Sequence, residues 1–337
     1  MLMSRHFEQD EEHMARAAQL ALTVRGSTAP NPWVGSVLVP RGDGRPLYEG
    51  ATLPPGGAHA EVVAIELAEA AGHASGATLY TTLEPCSHHG RTPPCVDAII
   101  RAGVARVVVA VTDPDENVSG RGIRALREAG IDVTIGVCET EVSDDLAPYL
   151  KHRRTGRPWV VLKLALSLDG RTAAPDGSSR WITGEEARED VHRLRAGSDA
   201  VLVGAGTVRS DDPELTARST PPPDQQPLRV VLGAAPPEAR VQPALELSGD
   251  LGEVLDELGR RGILQVLVEG GPKVAHEFHS AGLVDRYVLY LAPALFGGDD
   301  GRSVFSGPGA QTMSELWRGR LLSVERLGED IRVEVAA

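Results

Sequence analysis

His59, Glu61, Cys86 and Cys95 are the residues whose types and spacing point most directly to chemistry. One imidazole and two thiolates make a three-ligand set for Zn2+, and the tetrahedral position they leave for water separates a catalytic zinc from a closed structural one. Zinc acidifies such a water until hydroxide is available near neutral pH. Glu61 follows His59 by two positions, so its carboxylate can share the site while facing a substrate. From there it can take a proton from the water and return protons to a ring nitrogen and a departing amine. The chemistry this set supports is hydrolytic removal of ammonia from a heterocycle.

Taken singly, none of these residues is decisive. A histidine near a helix start is more often structural or solvated, and a Pro-Cys pair alone means little. Their positions among the predicted elements carry more weight. Residues 11–25 place Met14, Ala17, Ala18, Ala21 and Leu22 at helical spacing, and 33–39 reads as a strand. A helix is predicted from His59 through EVVAIELAEAA to Gly72, a suitable C-cap. Strand patterns at 78–82 and 104–111 bracket a helix that starts after Pro93 and Pro94, and a helix at 121–129 and a strand at 131–137 follow. The H-x-E triplet therefore opens one helix, Cys86 follows a strand, and Cys95 stands at the start of another helix, where the N-terminus favours thiolate over thiol. Cys138 lacks such company and reads as a buried apolar residue. The regular alternation argues an α/β fold with strands buried on both faces.

A basic stretch at 151–158 reads as a loop and sets the expected boundary between a domain at 1–150 and another at 151–337. Beyond it come a strand at 159–166, a glycine-rich loop, a helix at 185–196 and a strand at 200–203. The stretch PPPDQQP at 221–227 excludes helix and central strand, because proline fixes φ and lacks a donor. Further strands are expected at 228–232, 264–268 and 286–291. The strand ending in Val268 runs into Glu269, Gly270 and Gly271 and then a predicted helix. Backbone N–H groups at such a start can hold cofactor phosphates, and a glycine pair there equally serves as a tight turn.

The chain has 337 residues, enough for two hydrophobic cores. Aromatics are scarce at 4%, so the cores must be built from Val, Leu, Ala and Ile. The net charge of −13 argues against long nucleic-acid partners, while leaving room for a small phosphorylated substrate in a local basic pocket. No apolar run approaches the ~20 residues of a membrane span. The charged N-terminus lacks the apolar core of a signal peptide, which makes the cytoplasm the expected location. Three cysteines are no disulfide framework, and a reducing compartment leaves thiols free for metal.

The order H-x-E, then Pro-Cys, then Cys is the pattern of zinc nucleobase deaminases. General members have two residues between the cysteines, whereas eight intervene here. The string PCSHHGRTPPC, with Pro30, Asn31, Pro32, Trp33, Val34 and Gly35 upstream, closely resembles the deaminase half of the bifunctional riboflavin-biosynthesis enzymes. The resemblance implies a cytidine-deaminase-like α/β/α domain, zinc on His59, Cys86 and Cys95, and Glu61 as proton carrier. It also implies that Asn31 reads the pyrimidine edge and that His88 and Arg91 contact the ribose phosphate; His89 reads as solvated. Ala58 stands where the family usually has proline, a change in loop shape that touches no ligand.

The second half resembles the reductase of the same family through KLALSLDG, SRWITG, HRLRAGSDAVLVGAGTVRSDDPELTAR and VEGG. That implies a dihydrofolate-reductase-like α/β domain using NADPH. By the same resemblance, Ala165, Trp181, Thr207 and Asp211 border the cofactor, with the Gly271 segment at its phosphates. Ser179, Arg195, Leu215, Arg218 and Glu269 border the substrate, Arg195 and Arg218 as a clamp for its 5-phosphate. Gly233 and Ala234 depart from the family's usual Asp and Ser or Thr, and 235–262 reads as shortened, lacking part of a strand. These departures bear on the cofactor contact near Ala234.

The expected reactions are deamination of 2,5-diamino-6-ribosylamino-4(3H)-pyrimidinone 5′-phosphate, then NADPH reduction of the ribosyl to the ribityl chain, in a homo-oligomer. Three alternatives stand beside this reading. One keeps the deaminase but weakens or loses the reductase. Another is an RNA-editing zinc deaminase, which would want a basic surface and stacking aromatics. The last is a non-catalytic zinc module, which would need a fourth ligand such as His88 or His89.

Overall fold

The computed structural model describes residues 2–42, 46–88, 93–115, 118–223 and 225–337. The chain divides into two compact units, Met1–Gly156 and Arg157–Ala337.

In the first unit a long helix, α1 (Leu2–Thr23), precedes β1 (Gly35–Val39), β2 (Tyr48–Ala51), α2 (Ala60–Ala70) and β3 (Thr78–Leu83). Next come α3 (Cys95–Arg101), β4 (Arg106–Val111), α4 (Arg121–Glu128), β5 (Asp132–Ile135), α5 (Glu139–Asp145) and α6 (Ala147–Thr155). The sheet order is β2-β1-β3-β4-β5, with β1 antiparallel to both neighbours and β3, β4 and β5 parallel. Because side chains alternate across a strand, Leu79, Val107, Val109 and Val133 turn to a core shared with Ile65, Ile99 and Leu126 of the helices. Val37, Tyr80 and Val108 are buried as well, so the central strands β1, β3 and β4 are covered on both faces. That core is built from branched and small residues, as the shortage of aromatics requires.

Three readings need correction. Residues 151–155 are not loop: they form the last turn of α6, whose His152, Arg153 and Arg154 suit the negative end of the helix dipole. Gly156, at φ 73, closes that helix, and the unit boundary falls there rather than after Leu150. Cys138 is half-buried rather than buried, because it takes φ 55 at the cap of α5 while its neighbour Val137 turns inward.

The second unit runs β6 (Trp159–Ser167), β7 (Arg171–Ala173), α7 (Glu185–Ala196), β8 (Ala200–Gly204), α8 (Ala205–Asp211), β9 (Leu228–Leu232) and β10 (Leu245–Leu247). It continues through α9 (Leu251–Arg260), β11 (Gln265–Val268), α10 (Pro272–Ser280), β12 (Arg286–Ala292), β13 (Arg302–Ser303), β14 (Arg320–Leu327) and β15 (Asp330–Ala336). Eight strands order as β10-β9-β8-β11-β6-β12-β15-β14, parallel as far as β12 and antiparallel beyond it. Alternate residues again feed two cores. Val160, Leu162, Val266 and Val268 pack with Leu258 and Phe278 from α9 and α10. Val161, Val201, Val203 and Leu267 pack with Val191 and Val208 from α7 and α8.

The segment 235–262 does supply a strand, the short β10, and the Gly233 N–H donates to the Leu247 carbonyl at 2.8 Å. Gly233 adopts φ 98, a conformation glycine reaches without penalty. Among the described residues, no helix is long and apolar enough to cross a membrane.

Candidate functional site

His59 caps α2 in an extended conformation (φ −77, ψ 161), which turns its imidazole off the end of the helix. Glu61 lies in the first turn of that helix and is only 3% exposed. Cys86 follows β3 through Glu84 and Pro85, and Cys95 opens α3 directly after Pro94. The loop and two helix starts thus converge. The His59 Nδ1 is 3.1 Å from Cys95 Sγ and 3.5 Å from Cys86 Sγ, and the two sulfurs are 3.4 Å apart. Zinc bonds of about 2.3 Å to sulfur and about 2.0 Å to nitrogen imply ligand edges of roughly 3.5–3.8 Å. The three donors sit just inside those edges, so the set fits the ion with small outward shifts. Among the described residues these three form the single group of His, Cys, Asp and Glu side chains close enough to share a metal.

The electrostatics agree with that reading. Cys86 is pulled down to about 4, first by its hydrogen bond with Cys95 and further by His59, while the hydrogen bond with Cys86 and burial push Cys95 up. Metals bind thiolates, so a dication at this site would favour loss of the remaining thiol proton. Burial pushes Glu61 up to about 7, with His59 pulling the other way. A carboxyl poised near neutrality can both accept and donate protons. His59, Glu61, Cys86 and Cys95 are therefore gathered in one place. Asn31 is half-buried in the turn before β1, where its backbone N–H donates to the Thr28 carbonyl at 2.8 Å. His88 is exposed, and no hydrogen bond joins it or Asn31 to the metal-type donors; Arg91 lies outside the described residues.

The second unit holds a cavity of about 680 Å3 at the carboxyl ends of its parallel strands, where open α/β sheets bind ligands. Ala165, Trp181, Thr207, Asp211 and Gly271, the expected cofactor positions, all line it. So do Ser179, Arg195, Leu215, Arg218 and Glu269, the expected substrate positions. Neither Gly270 nor Gly271 has a positive φ, so the pair is no left-handed turn. A Cβ on Gly270 would meet Val274 at 2.5 Å, and the Gly271 N–H donates to Thr207 Oγ1 at 3.2 Å. Trp181 is 70% exposed, with the Arg188 guanidinium 4.7 Å from its ring. Leu215 is buried at φ 55, a strained position of the kind found at ligand sites.

Glu269 lines this cavity with its side chain only 7% exposed. Burial alone would push its carboxyl up, but Arg195 and Lys163 outweigh that and hold it at about 2. Arg195 Nε and Nη2 donate to the two carboxylate oxygens at 2.5 and 2.9 Å, and Nη1 donates to the Thr216 carbonyl at 3.1 Å. Each nitrogen of Arg195 thus makes one hydrogen bond within the protein, and Arg218 lines the same cavity. There Arg218 and Arg240 share Glu214, Arg218 at 2.6 Å. Lys163, 3.6 Å from Glu269, was not assigned a role from sequence. Its signal is a charge interrupting the apolar run WVVLKLALS.

Residues 7–111 match the family described as cytidine and deoxycytidylate deaminase zinc-binding region, and residues 158–333 match the RibD C-terminal domain. Riboflavin biosynthesis protein RibD of Mycobacterium tuberculosis is 44% identical, over 97% of each chain. Acinetobacter baumannii RibD is 39% identical, with a TM-score of 0.91 over 98% of this chain and 99% of that one. A Thermotoga maritima structure described as a diaminohydroxyphosphoribosylaminopyrimidine deaminase/5-amino-6-(5-phosphoribosylamino)uracil reductase has 38% identity and a TM-score of 0.90, with the same coverage. Both halves are matched, and nothing among these relatives points to an RNA-editing enzyme or to a missing reductase. The chain belongs to the RibD family of bifunctional riboflavin-pathway enzymes, deaminating with zinc and reducing with NADPH.

Proposed function

We propose that Met1–Gly156 deaminates 2,5-diamino-6-ribosylamino-4(3H)-pyrimidinone 5′-phosphate and that Arg157–Ala337 reduces the ribosyl group of the product to ribityl. The observation that carries this reading is the nest of His59, Cys86 and Cys95 with the buried Glu61 beside it. His59, Cys86 and Cys95 hold zinc. When bound, zinc supplies a water acidic enough to ionise near neutral pH. Glu61 receives the proton that water gives up and passes protons to the ring nitrogen and the leaving ammonia. The balance is one water consumed, one C–N bond exchanged for C–O, and one ammonia released. Asn31 orients the pyrimidine edge, and His88 and Arg91 hold the phosphate.

In the second unit Ala165, Trp181, Thr207, Asp211 and Gly271 border NADPH, which supplies the hydride. Ser179, Arg195, Leu215, Arg218 and Glu269 border the substrate. Arg195 fixes the Glu269 carboxylate, which can then accept from the sugar hydroxyls. Arg218, joined at the mouth by Arg240, meets the phosphate. Lys163 fits as the proton donor to the sugar oxygen as hydride arrives. The chain works in the cytoplasm as a homo-oligomer on a small phosphorylated pyrimidine, without nucleic acid or membrane partners.

Metal analysis of the purified chain, coupled to mass identification of the product, tests this reading. Bound zinc, ammonia release and then NADPH-dependent formation of the ribityl compound are expected. A zinc-free chain that still deaminates, or a zinc-loaded chain inert toward this substrate, would contradict it.

A further inference from the structure

Cys86 is braced from two sides. On one side is α3: the Val96 N–H donates to the Cys86 carbonyl at 3.2 Å, and the Cys95 N–H lies 3.4 Å from the Cys86 sulfur. On the other side is α4, and the link to it is Glu84, two positions before Cys86. The Glu84 side chain is buried, at 3% exposure. Its carboxylate accepts from the N–H groups of Gly120 and Gly122, each at 3.0 Å, and of Ile123 at 3.3 Å.

Helix α4 has no cap of its own. Its N-cap residue is Gly120, left-handed at φ 70 and without a side chain to offer. The first N–H groups of a helix need acceptors, and a negative charge there is favoured by the helix dipole. Glu84 meets both needs from 36 residues away. The contact is also steric: a Cβ on Gly122 would come within 2.0 Å of the Pro85 carbonyl oxygen, so glycine is what lets the helix press against this segment. The Glu84 N–H, finally, donates to the Val111 carbonyl at 2.9 Å and ties the segment to the end of β4.

We propose that Glu84 is a positioning residue for the metal centre, fastening α4 onto the chain at Pro85 so that the Cys86 sulfur is held where zinc needs it. The inference rests on the assignment of His59, Cys86 and Cys95 as zinc ligands. Helix α4 lies beyond residues 7–111, the stretch matched by the zinc-binding deaminase family, so the centre draws support from outside that stretch. Partners that orient metal ligands typically change metal affinity by about 10–100-fold when removed.

The test is zinc affinity of the full-length chain, measured by competition with a chromophoric chelator. Glu84→Ala is expected to weaken zinc binding by about 10–100-fold. Glu84→Gln should weaken it less, because its amide oxygen still accepts while its NH2 cannot. NADPH oxidation on already deaminated substrate should be unchanged in both, since the second unit carries it. Wild type and Cys86→Ser bracket the scale: zinc absent from the first, or fully kept by the second, would fault the ligand assignment rather than Glu84. A residue acting only as a helix cap would lower Tm and leave the affinity of folded protein intact. Folded Glu84→Ala with wild-type affinity therefore overturns the proposal. Should that variant not fold, wild-type affinity in Glu84→Gln overturns it equally.

Discussion

The two functional regions of this molecule are built on opposite principles. In the first unit, the chemistry is proposed for four residues gathered from one loop and two helix starts, and their types alone restrict what it can be. In the second, a cavity of about 680 Å3 draws single residues from strands, loops and helices spread over more than a hundred positions. Few of those side chains are reactive by themselves. What matters there is the shared carboxyl edge of parallel strands, which brings Lys163, Thr207 and Glu269 to one end of the sheet. A metal site is specified by donor chemistry, whereas a cofactor cavity is specified by topology.

If the contrast is right, the sites should fail separately and in different ways. The largest effect is expected from Glu61→Gln, which keeps the metal donors and removes the proton carrier. Ammonia release should fall by at least about 10²–10⁴-fold while zinc content stays at the wild-type level. Retained turnover would exclude Glu61 from proton transfer. Cys86→Ser should lose both zinc and deamination, yet continue to oxidise NADPH on deaminated substrate. A collapse of both activities would break the comparison, because the units would then not work independently.

Glu269→Gln sharpens the other side. It leaves Arg195 and Lys163 buried without their counter-charge, which should cost the second unit about 3–5 kcal/mol, read as a lowered denaturation midpoint. The pH dependence has a definite sign. The folded value of about 2 lies below the usual 4.5, so the contribution of Glu269 is fully present above about 4.5. It is lost as pH falls through that range toward 2. An acid titration followed by circular dichroism should show this loss in the wild type and lack it in Glu269→Gln. The smallest effect belongs to the exposed mouth. Arg218→Ala should raise KM for the phosphorylated substrate about tenfold with kcat little changed, and an equal fall in kcat would place Arg218 nearer the reacting atoms.

The same contrast explains what the sequence could and could not reveal. Near-continuous apolar runs marked strands such as β4 and β12, because a strand covered on both faces must be apolar at successive positions. The His, Glu and Cys spacing marked the metal nest, since few other roles use those types together. Helix α6 was misread because His152, Arg153 and Arg154 resemble a solvated linker, although their charges suit a helix C-terminus. Residues such as Ser179 and Arg218 carry no intrinsic signal and are expected at the substrate through family resemblance alone, though both line the cavity. Glu84 shows the remaining limit: its partners lie 36 to 39 positions away, and no local pattern announces a helix cap supplied from another element.

The most direct measurement of the central claim is zinc K-edge X-ray absorption on the purified full-length chain. The account predicts two sulfur ligands at about 2.3 Å, one imidazole nitrogen at about 2.0 Å and a light oxygen-type ligand completing the shell, with that pattern destroyed in Cys86→Ser. A shell closed by four protein ligands, or zinc bound without sulfur, would contradict it.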